Sequence, residues 1–93
     1  MDEQLRSSIQ RAAAVLREMG AREVYLFGSA ARGKLRPGSD VDLAVSGLPR
    51  GLFFRAMSKA ADVVDCPLDL IDLDQDVPFT RYLKEEGELV RVG

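Results

Sequence analysis

The sequence predicts an α/β (α+β) domain with the element order α-β-α-β-α-β-α and a short three-stranded sheet flanked by helices. The chain has 93 residues, which is enough for one hydrophobic core. Short runs rich in strand-forming residues recur at Val24–Phe27, Val41–Val45 and Leu68–Ile71. The segments around these runs carry apolar residues at helical spacing. We therefore expect residues 1–93 to form a single domain in which helices cover the sheet.

The first two helices are predicted on either side of the first strand. The first begins after Asp2, a candidate N-cap, and ends at Gly20, a residue type typical of the position after a helix. Its apolar stripe consists of Leu5, Ile9, Ala12, Ala13 and Leu16. A short second helix is predicted from Ser29 to about Leu35, before Pro37 and Gly38.

The third and fourth helices precede and follow the last predicted strand. The third covers about residues 51–64, and its apolar stripe consists of Phe53, Ala56, Met57, Ala60, Val63 and Val64. Phe54 lies off this stripe, so we expect it at an interface. The fourth has Pro78 in its first turn and ends at Gly87. Its predicted apolar face consists of Phe79, Tyr82 and Leu83.

Composition excludes several classes of function. The formal net charge is −2 and there is no basic run, so we expect no nucleic acid as the main partner. There is no histidine, which excludes Cys-His catalysis and histidine-ligated metal sites. The only cysteine, Cys66, lies among apolar residues and is predicted to be a buried structural thiol. The sequence shows neither a membrane-spanning run nor a signal peptide, so we expect a cytoplasmic protein.

The segment between the first two strands carries the candidate chemistry. Gly28-Ser29 follows a strand and opens a predicted helix, where unpaired backbone N–H groups can hold phosphate. Asp40 and Asp42 stand at i and i+2 around the start of the next strand, so both point to the same side of it. Two adjacent carboxylates suit Mg²⁺. The pattern predicts metal-assisted chemistry on a nucleotide, although a plain turn followed by a polar strand edge would also give these residue types.

Gly28-Ser29, ten intervening residues and then Asp40-Val41-Asp42 resemble the signature of nucleotidyltransferases of the DNA polymerase β superfamily. The chain length and the Ala-Arg-Gly that follows Gly28-Ser29 resemble the minimal, single-domain branch, the MNT or MntA-like proteins. The resemblance covers roughly Val24 to Gly87. It implies a nucleotidyltransferase-like fold in which the strands form a mixed sheet with the site at one edge. One departure is Ala30, where relatives often carry a bulky or basic residue.

A third carboxylate is expected on the third strand, because two metal ions need shared ligands. Asp69 lies between apolar residues of that strand, where an unpaired carboxylate would be costly, and the resembled family takes its third metal ligand from a matching position. Asp72 is the rival candidate, although its place after the strand suits a cap or turn. We favour Asp69.

The resemblance implies the following roles. Asp40 and Asp42 hold Mg²⁺ on the triphosphate of ATP, and together with Asp69 they hold a second ion. Asp69 can also accept the proton of the acceptor hydroxyl. Gly28 and Ser29 bind the β- and γ-phosphates.

Two basic residues are candidates for neutralising charge on the leaving pyrophosphate, Arg32 and Lys34. A salt bridge on the helix is an equal alternative for Arg32. A solvated surface position is the alternative for Lys34.

The resemblance also implies a partner. The minimal branch is typically paired with a helical HEPN protein as a toxin–antitoxin couple, and the MNT member, the antitoxin, transfers AMP from ATP to a tyrosine of the toxin. We therefore expect protein adenylylation by a type VII-like antitoxin. Nucleotidyl transfer to a small molecule with the help of a second subunit, and non-catalytic masking of a partner, remain alternatives. Homo-oligomerisation is left open.

Two other motifs are incomplete, because each lacks a residue that its function requires. Gly28 to Lys34 matches the start of a P-loop, but Leu35 stands where the magnesium-binding Ser or Thr belongs. Asp72, Asp74 and Asp76 are spaced like the start of an EF-hand, but Val77 replaces the required glycine. That segment is predicted to be a solvated acidic loop.

Overall fold

A computed structural model of the chain describes residues 3–28, 31, 40–64, 66–85, 87 and 89–93. The elements are α1 (Glu3–Glu18), β1 (Glu23–Phe27), β2 (Val41–Ser46), a 3₁₀ turn (Arg50–Leu52), α2 (Phe53–Ala61), β3 (Leu68–Asp72), α3 (Pro78–Glu85) and β4 (Val90–Arg91). The helix predicted at 29–35 and the Asp2 cap lie outside the described residues.

The strands form one mixed sheet in the order β3-β2-β1-β4. β1 runs antiparallel to both β2 and β4, whereas β2 and β3 are parallel. The predicted mixed α+β sheet is confirmed, but the predicted number of three strands is wrong, since the described residues contain four. β4 has only two residues, paired with Tyr25 and Leu26, and a strand this short has no alternation that a sequence pattern could reveal.

One face of the sheet is covered by α1 and α2. We call it the α1/α2 face. Its buried core residues include Ile9 and Leu16 of α1, Ala56 of α2 and Leu43 of β2. The apolar stripe predicted for the first helix is buried as expected, apart from the partly buried Leu5. Helix α2 is shorter than predicted and ends at Ala61.

The other face of the sheet packs against α3, and we call it the α3 face. Its smaller core consists of Phe27, Ala44, Leu73 and Leu83, with Tyr25, Ile71 and Leu89 packed around it. Of the predicted apolar face of α3, only Leu83 is buried, whereas Phe79 and Tyr82 are half exposed. The prediction fails there because α3 contacts the sheet along a narrower stripe than its sequence suggests.

Cys66 is half-buried beside the α1/α2 core rather than fully buried. It lies just before β3, where the chain enters the sheet, and this position leaves part of the residue accessible.

Candidate active site

Gly28 forms the turn directly after β1 and its backbone has a φ of +71°. Side chains other than glycine rarely adopt this conformation. A Cβ atom at Gly28 would lie 2.5 Å from Oδ2 of Asp42, so the carboxylate occupies the space that a side chain would need. The turn and the β2 carboxylate are therefore in direct juxtaposition. The other residues predicted for phosphate binding, Ser29, Arg32 and Lys34, lie outside the described residues.

Asp42 lies on β2 with its side chain on the α3 face. Its neighbours Val41 and Leu43 are fully buried on the opposite face, which is the alternation that the sequence predicted. In the sheet, Asp42 pairs with Phe27 of β1 on one side and with Asp69 of β3 on the other. It is half-buried, and its position is thus fixed by strands on both sides.

Asp69 is the residue directly beside Asp42 on the neighbouring parallel strand. Paired residues on adjacent strands project from the same face of a sheet, about 4.8 Å apart. Asp69 is exposed, which corrects the expectation of a carboxylate enclosed in a core strand. β3 is the outer strand of the described sheet, so its α3 face is open to solvent at this position.

Asp72, the rival candidate, lies at the other end of β3, beside Val45. It is buried, and its Oδ1 accepts a hydrogen bond of 2.9 Å from the backbone N–H of Asp74. Strand alternation directs Asp69 and Asp72 to opposite faces. Asp72 therefore shapes the turn after β3, as the sequence suggested for it.

The carboxyl groups at this end of the sheet interact electrostatically. The pKa of Asp42 is raised above its ordinary value, mainly because partial burial disfavours the charged form. The negative charges of Asp69 and then of Asp40 raise this pKa further, as does a side-chain hydrogen bond with Asp69. A divalent cation would offset this repulsion, and carboxylate oxygens are ligands that Mg²⁺ prefers.

Asp40 immediately precedes β2 and is exposed. Across the part of the chain that the structure describes, no three acidic, histidine or cysteine side chains are grouped closely enough to hold a metal ion as they stand. The carboxylates of Asp40, Asp42 and Asp69 are thus of a type that suits Mg²⁺, but their side chains are not grouped closely enough to surround an ion.

An aromatic pair that the sequence pattern did not predict borders the carboxylates. Phe27 pairs with Asp42 in the sheet, and its ring contacts the ring of Phe79 edge to face, with centroids 6.1 Å apart. Phe79 belongs to the first turn of α3 and remains half exposed. The only sequence signal was its place in an amphipathic helix, which predicted core packing instead.

The acidic loop after β3 is engaged in structural contacts. Oδ2 of Asp74 accepts a hydrogen bond of 2.7 Å from the N–H of Gly47, and Oδ1 accepts one of 3.3 Å from the hydroxyl of Ser46. Asp76 pairs with Arg81 of α3, with 2.6 Å between Oδ1 and Nε. Asp74 and Asp76 are exposed, as predicted for a solvated loop, whereas Asp72 at its start is buried.

The model of the family described as "Polymerase beta, Nucleotidyltransferase" matches residues 10–91. The chain belongs to this family. This match includes all the strands of the described residues together with Gly28, Asp40, Asp42 and Asp69. The chain is thus a nucleotidyltransferase, as the resemblance predicted.

Solved structures agree with this assignment. A protein described as a minimal nucleotidyltransferase is 26% identical, with a TM-score of 0.73, and the match covers 94% of each chain. A toxin–antitoxin crystallised with AMP-PNP is 23% identical, with a TM-score of 0.69 over 95% of this chain and 72% of that one. The toxin–antitoxin MntA-HepT is 20% identical, with a TM-score of 0.65 over 94% and 70%. At such identities the last two likenesses show the fold. A search of curated proteins gave no significant match.

None of the helices within the described residues has the length and apolar character needed to cross a membrane.

Proposed function

We propose that this nucleotidyltransferase transfers AMP from ATP to a tyrosine hydroxyl of a helical HEPN-type partner, in a Mg²⁺-dependent reaction, and so acts as an antitoxin in the cytoplasm. The observation that carries the proposal is the pairing of Asp42 with Asp69 beside the Gly28 turn. This arrangement brings a glycine turn suited to phosphate and two carboxylates to one end of the sheet.

The residues at this end have complementary roles in the proposed reaction. Asp40, Asp42 and Asp69 would hold Mg²⁺, which supplies charge neutralisation on the triphosphate and lowers the pKa of the acceptor hydroxyl. Asp69 is exposed on the outer strand, so it is accessible to an incoming acceptor and can accept its proton. The acceptor oxygen forms a bond to the α-phosphorus while the bond to pyrophosphate breaks.

Phosphate binding is assigned to the turn after β1. Gly28 has no side chain of its own to cover the backbone of the turn, and Ser29 is proposed to add its N–H and hydroxyl. Arg32 and Lys34 are proposed to neutralise the leaving pyrophosphate.

The nature of the acceptor is supported by the likeness to toxin–antitoxin structures, one of which contains AMP-PNP. The sequence has a single cysteine, Cys66, so it cannot form a disulfide within the chain, which fits a reducing compartment.

An acceptor panel tests the proposal. Wild-type protein, an Asp42→Asn variant and an Asp76→Asn control are incubated with Mg²⁺ and α-labelled ATP. The acceptors are N-acetyl-tyrosine amide, an aminoglycoside and the helical protein encoded by a neighbouring gene. The proposal predicts label on the helical protein with the wild type and the control only. Label on the aminoglycoside alone would favour the small-molecule alternative, and binding of the helical protein without label would favour masking.

A further inference from the structure

One edge of β3 has no partner strand among the residues that the structure describes. β3 pairs with β2 on one side, and within the described residues no strand pairs with its other side. Such an edge presents a row of N–H and C=O groups that can accept a further strand.

A groove of about 450 Å³ runs along this edge, and its lining combines apolar residues with the polar or charged Arg50, Asp72, Gln75 and Thr80. Phe53 and Phe54 at the start of α2 line it on one side, and Val77 and Phe79 at the start of α3 line it on the other. Phe54 is 75% exposed and Phe79 is 50% exposed, so two large aromatic residues face solvent around one groove. Folding alone gives no reason to leave this much apolar surface exposed.

The groove lies beside the site carboxylates, although Asp42 and Asp69 do not themselves line it. Ile71 lines it, and strand alternation places Ile71 on the same face of β3 as Asp69, two residues earlier. Phe79 lines it as well and contacts Phe27, the partner of Asp42 in the sheet. One end of the groove therefore meets the site at which the acceptor hydroxyl must arrive.

We propose that this groove binds an extended segment of the acceptor protein, which adds to β3 as a further strand and presents its hydroxyl residue to Asp69. The inference rests on the proposed function and adds to it the form in which the acceptor binds. The segment carries an apolar residue two positions from the hydroxyl residue, because Asp69 and Ile71 share that spacing. We expect no acidic residue next to the hydroxyl residue of the segment, because the negative charges of Asp40, Asp42 and Asp69 would repel it.

A strand fits this groove better than the two other occupants. A strand advances about 6.6 Å in two residues and keeps both side chains on one face, as Asp69 and Ile71 require. A helix leaves the backbone groups of the β3 edge unpaired. A second copy of the chain could instead pair its β3 antiparallel to this one, with the two Leu70 residues opposite each other. Asp69 would then lie opposite Ile71 of the other copy, and the acceptor could no longer reach Asp69.

Peptides with blocked backbone groups test the inference. The probe is a nine-residue fluorescent peptide with tyrosine at its centre and valine two positions away on each side. Two further peptides carry N-methyl groups at alternating positions, one on the odd and one on the even residues. Because only alternate N–H groups of an added strand face β3, one methylated peptide should bind like the parent and the other should lose at least tenfold in affinity.

Protein variants provide a second measure. Phe54→Ser should weaken peptide binding about tenfold, as truncation of a central aromatic contact does. Val90→Ser on β4, an exposed apolar residue at the other edge of the sheet, should leave binding unchanged. The rate of AMP transfer to N-acetyl-tyrosine amide should be the same for the wild type, Phe54→Ser and Val90→Ser, because this acceptor is too small to reach the groove.

The outcomes separate the two proposals. Four results would each overturn the groove assignment. Both methylated peptides could bind with equal affinity, or Phe54→Ser could bind the parent peptide as tightly as the wild type. A helix-stabilised peptide could bind more tightly than the parent, or the protein could form a dimer that Phe54→Ser dissociates. Failure of AMP transfer to every acceptor, with Phe54-dependent peptide binding intact, would instead overturn the proposed function.

Discussion

Substitution of Gly28 by alanine should disable the site through a neighbouring side chain. At a φ of +71°, alanine costs about 1–2 kcal/mol in backbone strain. In a domain of this size that lowers Tm by roughly 4–16 °C. The added Cβ would also lie 2.5 Å from Oδ2 of Asp42, so the carboxylate must move from its place beside Asp69. We expect Gly28→Ala to abolish the rise in Tm that Mg²⁺ and ATP produce in the wild type.

Gly47 offers a matched control. It has a φ of +82°, so alanine there incurs similar strain, but its Cβ would meet the Arg22 side chain beyond the other end of β2. Gly47→Ala should therefore lose similar stability and keep the response to Mg²⁺ and ATP. Thermal unfolding of both variants, with and without Mg²⁺ and ATP, makes the comparison.

A double variant isolates the clash itself. In an Asp42→Ala background the nearest remaining atom to the new Cβ at Gly28 is the β-carbon of residue 42, at an ordinary 3.7 Å. In that background, Gly28→Ala should lower the free energy of unfolding only by the backbone strain at residue 28. If Gly28→Ala kept the full response to Mg²⁺ and ATP, the argument that this turn and Asp42 form one site would be refuted.

Three further predictions concern charge, the acidic loop and the core. Asp42→Asn should raise the Tm of the metal-free protein at neutral pH. The pKa of Asp42 is raised in the folded state, so the wild type loses stability as the pH rises through that pKa. The difference in Tm between variant and wild type should therefore vanish below the ordinary carboxyl pKa. Asp74→Ala should cost about 0.5–1.5 kcal/mol in urea unfolding, because it removes the acceptor of an exposed hydrogen bond from the Gly47 N–H, and it should leave the rate of AMP transfer per folded molecule unchanged. Leu43→Ala should cost about 2–5 kcal/mol, since this side chain is fully buried between β2 and the helices; a loss below 1 kcal/mol would contradict the described core.

The sequence was most informative where local pattern and spacing determine structure. Alternation along 41–45 predicted which face Asp42 occupies, and helical spacing predicted the buried stripe of α1. Both patterns depend only on the period of one element. The spacing from Gly28 to Asp42 pointed to the family, which the match to residues 10–91 shows.

Features that depend on tertiary contacts were predicted less well. Asp69 was expected inside a core strand, where a carboxylate needs a partner, but β3 is the outer strand of the described sheet and Asp69 is exposed. Phe79 was expected in the core, because no local pattern reveals that α3 covers only a narrow part of its face of the sheet. β4 was missed because two paired residues carry no period. The roles of Ser29, Arg32 and Lys34 stay predictions.

The most direct test of the proposed chemistry compares ATP labelled on the α-phosphate with ATP labelled on the γ-phosphate. Each is incubated with Mg²⁺ and lysate of the source organism, beside a variant with both Asp40→Asn and Asp42→Asn. The account predicts that only the α-label reaches a protein, only with the wild type, and that the labelled residue is a tyrosine. Transfer of the γ-label alone would show phosphorylation, and α-label transfer by the double variant would show that these carboxylates do not carry the reaction; either result would contradict the account.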